Sequence, residues 1–179
     1  MSTIKPPPLM KFFLAAFGPD PLALDRAVAR LAKEFSPNLG PIDFQSPDHK
    51  FKDTAYYQSE MGPDLVKRYL SWTNLLEPGL LVDLKLLAME LEKKLAAPSG
   101  RTVNLDPGYV FVGGLVLSTG KFSGHRLYLG CGVWGELTLH FHRGSFEGLP
   151  WTYPDYLRPE VISVLGAMRA SYLVNIRKV

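Results

Sequence analysis

A chain of 179 residues is most simply one domain spanning residues 1–179, long enough to bury a sizeable core. Its formal charge of +3, from 20 basic and 17 acidic residues, is too small and too scattered for a phosphate-backbone binder, so nucleic acid is not an expected partner. The single cysteine, Cys131, excludes an internal disulfide and any CxxC metal or redox pair, which fits a reducing, cytoplasmic setting.

Residues 1–10, with "KPPP", read as a flexible lead-in. Residues 11–17 read as a first strand. Their apolar run is far shorter than the ~20 residues of a membrane span, and Pro19 and Pro21 interrupt the chain just beyond it, so no membrane partner is expected. Asp20 suits an N-cap and Pro21 a first helical position, and Leu24, Val28, Leu31 and Phe35 recur at helical spacing. "SPNLGP" stops that helix. Extended segments near residues 42–51 and 65–75 flank "DTAYYQSEMGPD". A second helix over residues 78–96 carries the stripe Leu80, Leu84, Leu87, Leu91 and Leu95.

"NLDPGY", residues 104–109, has turn chemistry: Pro107 fixes φ and Gly108 accepts a positive one. It reads as a corner presenting Asn104, Asp106 and Tyr109. "YVFVGGLVLST" is a buried strand run whose paired glycines argue against a helix. "HRLYLGCGVWGELTLHFHRG" is one long strand or two with a turn near Gly130–Gly132. Beyond the proline-punctuated "GLPWTYPDYLRP", Pro159 opens a last helix with Val161, Leu165, Met168 and Tyr172 on one stripe. The order β-α-β-β-α-β-β-β-α predicts an α+β two-layer sandwich, a mainly antiparallel sheet with helices on one face. Its first six elements match the split β-α-β, or ferredoxin-like, pattern, and the rest is a C-terminal extension.

Read with period two, residues 125–142 put Leu127, Leu129, Cys131, Val133, Leu137, Leu139 and Phe141 on a core face. Arg126, Tyr128, Trp134, Glu136, Thr138, His140 and His142 fall on the other face, as solvated residues or as a site. A turn at Gly130–Gly132 would uncouple Arg126 from Glu136. His140 and His142 have the i, i+2 spacing of two metal ligands and need a third from elsewhere, Glu136 lying about 13 Å along the strand. No metal or cofactor is assigned.

Other candidates lie in loops. Glu60 sits between two predicted strands, and Lys121, His125 and Arg126 form a basic group on a glycine-bearing loop suited to an anion. "WTYPDY" places Trp151, Tyr153 and Tyr156 around Asp155, as a ligand wall or as a loop anchor. No GxGxxG, HExxH or GxSxG occurs. "GLVLSTGKF" misses a Walker A loop by one residue and by Phe122 where Ser or Thr belongs. Ser118 and Lys121 spell SxxK without its partner motifs.

Across "FKDTAYYQSEMG", "NLDPGY", "STGKFSGHR" and "WTYPDY", the chain resembles an uncharacterised bacterial domain family of similar length. Some members of that family carry an automatic GTP-binding label. Neither a P-loop nor an NKxD-type motif supports that label here, and Gly120 stands where the family pattern has threonine. The resemblance implies a shared site drawn from Glu60, Asn104, Asp106, Tyr109, Lys121, His125, Arg126, Trp151, Asp155 and Tyr156.

These residues admit three functional readings. In the first, Lys121, His125 and Arg126 hold a small anionic ligand such as a phosphate or carboxylate, while Asp106, Glu136 or Asp155 supplies a carboxylate for proton transfer or for a hard metal such as Mg²⁺. In the second, exposed aromatics or a free sheet edge bind a protein or make a homo-oligomer. The third, nucleic-acid binding across the sheet, is disfavoured by the low charge.

Overall fold

The computed structural model describes residues 3–35, 37–51 and 57–178. The strands are β1 (Met10–Gly18), β2 (Ile42–Gln45), β3 (His49–Lys50), β4 (Val66–Leu76), β5 (Asn104–Phe111), β6 (Gly114–Thr119), β7 (Leu127–Gly130), β8 (Val133–His142) and β9 (Ser145–Gly148). The helices are α1 (Pro21–Glu34), the single turn α2 (Gln58–Met61), α3 (Leu81–Lys94) and α4 (Pro159–Asn175). The expected α+β class holds: one open antiparallel sheet runs β2-β4-β1-β5-β6-β8-β7, with β3 beside β4 and β9 beside β8.

Strand β1 lies between β4 and β5, and all nine of its residues are buried. The order β2-β4-β1-β5, with α1 and α3 between strands, is that of the split β-α-β pattern. Helix α1 starts as its sequence dictates: the Asp20 carboxylate accepts from the Leu22 amide at 2.9 Å, and Pro21 needs no donor there. Phe12, Leu14 and Ala16 of β1 pack with α1 and α3, and Phe13 and Ala15 pack on the other side with Val161, Leu165 and Met168 of α4. Alternation along one buried strand therefore feeds two cores. The expected α4 stripe is buried throughout, yet it covers the face opposite α1 and α3, so the C-terminal extension adds a third layer.

The 104–109 corner is not a turn. Asp106, Pro107 and Gly108 lie inside β5, opposite Ala15, Leu14 and Phe13. Pro107 is tolerated because its carbonyl, and hence its missing N–H, points toward β6, where pairing starts only at Gly108. The Ser118 hydroxyl bonds that carbonyl at 2.7 Å.

Strands β7 and β8 form a hairpin turning at Cys131 and Gly132, both with positive φ. The period-two face assignment fails along β8. Leu115 pairs with Leu139 but Val116 with Leu137, so Thr138 is an extra residue, a bulge that flips the alternation. Glu136 thereby turns inward and Leu137 outward, while Leu127 and Leu129 are exposed on the last strand of the sheet.

Candidate functional site

Because the sheet is antiparallel, β1 and β6 end where β4, β5 and β8 begin. A cavity of about 460 Å³ opens at that end of the sheet. Lys85, Met89 and Glu92 of α3 wall one side, Tyr153–Tyr156 another, and the apolar cluster around Phe17 and Phe51 a third. Five cationic side chains (Lys67, Lys85, Arg101, Lys121, Arg126) and four carboxylates (Glu92, Asp106, Glu136, Asp155) line it.

Lys67 and Asp155 form one of its charged pairs, at 2.5 Å and almost wholly buried. The Lys67 ammonium lies 4.8–5.7 Å from the ring centroids of Phe17, Phe51, Tyr69 and Tyr156, near the negative faces that attract a cation. The Tyr69 hydroxyl donates to Asp155 at 3.2 Å. Burial, and secondarily the Asp155 charge, pushes the Tyr69 phenol far up, and burial does the same at Tyr156. Both stay protonated as donors. The Tyr156 hydroxyl is buried and has no hydrogen-bond partner among the described residues.

A second network runs along the start of β5. Lys85 bonds Asp106 at 3.0 Å, Asn104 donates to the other Asp106 oxygen at 2.7 Å, and Arg101 donates to Asn104 at 2.9 Å. Arg101 also holds Glu60 through Nε and Nη2, the latter at 2.7 Å. Those hydrogen bonds keep the Glu60 carboxyl below its ordinary value. Glu92 accepts from the Leu105 amide at 2.6 Å.

Burial pushes the Glu92 carboxyl up, against the pull of Lys85. The folded chain therefore holds this proton more tightly than the unfolded one. Ionisation of Glu92 weakens the fold as pH rises from the ordinary glutamate value near 4.5 through the folded one. Glu92→Gln keeps an oxygen for the Leu105 amide. It is expected to raise Tm at pH 8 and to converge with the parent chain near pH 4, as read by circular dichroism melts across that range.

At the third corner, Glu136 is buried and one of its oxygens takes both Arg126 Nε at 2.8 Å and His125 Nε2 at 2.9 Å. Arg126 donates onward to the Tyr153 hydroxyl at 3.0 Å. His125 stacks on Trp151 with centroids 4.9 Å apart, and Trp151 anchors through its indole N–H to the Leu137 carbonyl at 2.9 Å. The β7–β8 turn thus does not separate Arg126 from Glu136. Arg126 precedes β7, and the hairpin folds it back beside β8.

Of the sequence candidates, Asn104, Asp106, Lys121, Arg126, Glu136, Asp155 and Tyr156 line one cavity. Glu60, His125 and Trp151 stand behind Arg101, Glu136 and His125 respectively. Tyr109 is not at the cavity: it is half-buried beside Phe12 and Phe111 in the core under α1 and α3. It lies there because residue 109 is strand, not corner. Sequence reading missed Lys67, Lys85, Glu92 and Arg101. Lys85 and Glu92, seven apart on α3 and both buried, carry a readable signal: each follows a stripe leucine, on the sheet-facing side of the helix.

No helix among the described residues is long and apolar enough to cross a membrane. No curated protein and no solved structure matches the chain. The model of a domain of unknown function, DUF4416, matches residues 9–172, from the residue before β1 to Tyr172 of α4. The chain therefore belongs to the DUF4416 family of domains of unknown function.

Proposed function

We propose that the cavity at the sheet end binds a small organic anion, a carboxylate or a phosphate ester. The observation that carries the reading is a cavity lined by five cations, one of whose lining residues, Tyr156, keeps a buried hydroxyl without a partner among the described residues. Lys85, Arg101, Lys121 and Arg126 would hold the anionic group, and Phe17, Phe51 and Tyr57 would face its apolar part. Glu136 and Asp155 are buried behind Arg126 and Lys67 and would act by positioning them. Asp106, about one-third exposed, is the carboxylate placed to exchange a proton with a ligand.

A thermal-shift panel of inorganic phosphate, sugar phosphates, nucleotides and small carboxylates tests this. At ~100 times its Kd, a ligand adds about 2.7 kcal/mol, a rise of several degrees. Arg126→Ala is expected to abolish the response. Tyr156→Phe should leave the unliganded Tm unchanged or higher, because no bond is lost, while weakening binding about tenfold. A panel without a responder, or a response that survives both substitutions, would overturn the proposal.

A second reading rests on β7, the edge strand, where Leu127, Tyr128 and Leu129 are exposed beside unpaired backbone. Such an edge suits pairing with a second copy. Light scattering would show a dimer that Leu129→Lys dissociates; a monomer at all concentrations would exclude it.

A further inference from the structure

We infer that the β8–β9 hairpin carries a site for a zinc-class divalent cation, built from His140, His142 and Glu147. One ligand atom from each lies within 4.8 Å of the others. The placement comes from register. His140 sits opposite Glu147 across the ladder and His142 lies two residues on, so all three side chains leave the same face.

The opposite face anchors the hairpin. Phe141 pairs with Phe146, their rings edge to face at 5.3 Å, and Phe146 is buried in the core beneath α4. The connection is a tight turn at Arg143 and Gly144, both with positive φ. Backbone pairing and packing thus place the three ligands, which also contact one another through the His142–Glu147 hydrogen bond and the neighbouring imidazole rings.

The distances are compatible with coordination as well as with ion pairing. Glu147 Oε2 lies 3.5 Å from His140 Nε2 and Glu147 Oε1 lies 3.3 Å from His142 Nδ1, while single ligand atoms from the three residues fall within 4.8 Å of one another. The buried His125–Glu136 pair closes to 2.9 Å. With metal–ligand bonds of about 2.1 Å in a tetrahedron, neighbouring ligand atoms stand about 3.4 Å apart. The His140 ring has its Nδ1 buried without a partner, which leaves Nε2 to meet the ion.

Two imidazoles and a carboxylate select zinc, nickel or copper over magnesium or calcium, which take oxygen ligands. His142 and Glu147 are exposed, so a fourth position stays open to water. The site is separate from the cavity, where Glu136 lies four residues back along β8, about 13 Å in extended chain.

The test is calorimetric titration of the full, untagged, EDTA-stripped chain with zinc chloride, beside thermal melts with and without zinc. One equivalent is expected, with a Tm rise of several degrees and no response to magnesium chloride. His142→Ala and Glu147→Gln should each remove the binding. Both positions are exposed, and far-UV circular dichroism checks that the variants fold. Cys131→Ser should leave binding unchanged. Absence of binding, survival in both ligand variants, or loss in Cys131→Ser would each overturn the site.

Discussion

Lys67→Ala is expected to destabilise the fold by about 3–5 kcal/mol, the usual cost of removing one partner of a buried ion pair. The substitution strands the Asp155 carboxylate, which is 7% exposed, and empties a space bounded by four rings. The effect should depend on the charge left behind. Lys67→Met with Asp155→Leu is therefore expected to recover more than half of the loss, though the Tyr69 hydroxyl then lacks its acceptor. Urea denaturation of the single and double variants measures both. A loss below about 1 kcal/mol for Lys67→Ala would mean that Asp155 finds another proton or a water. An apolar pair of similar volume could hold this position as well, so stability alone does not account for a lysine and an aspartate at a cavity wall.

Gly108→Ala is expected to cost about 3 kcal/mol, at the upper end for overpacking. A Cβ there would stand 2.3 Å from the Val116 carbonyl oxygen and 2.6 Å from the Phe13 ring. The ring can turn, but the carbonyl belongs to a paired strand and moves only with it. Gly166→Ala in α4 is the internal control. Nothing lies within 4 Å of the added methyl, and alanine in a helix interior is expected to stabilise by about 0.5–1 kcal/mol. Opposite signs at the two positions, read from the same denaturation assay, would confirm that Gly108 is held by close approach. Its role is contact, not backbone freedom.

Gly108 also marks the limit of what the residues alone disclose. The Asp20–Pro21 helix start and the α4 stripe were legible because caps and helical spacing act locally. The Asp106–Pro107–Gly108 run was not, because turn glycines and contact glycines look alike until Phe13 arrives from 95 residues earlier. The buried Glu136 was misassigned in facing for another nonlocal reason: the extra residue Thr138 is defined only against β6. Lys121, Arg126 and Asp155 announced themselves through clustering in loops. Lys67 and Arg101 did not, since a cation in a strand or after a turn is ordinary until the sheet brings five such groups to one end.

The central place of β1 also has a bearing on biosynthesis. Lys11 pairs with Leu75 on one side and Val110 on the other, so during synthesis β1 waits first for β4 and then for β5 before both of its edges are closed. Closing such long loops is slow, and an apolar strand with two open edges is meanwhile prone to aggregate. Until the chain has been made as far as β5, "MKFFLAAFG" cannot be flanked on both sides. In that interval the early, well-capped α1 can shield one face of the strand, and β4 can close one edge once Leu76 has been made.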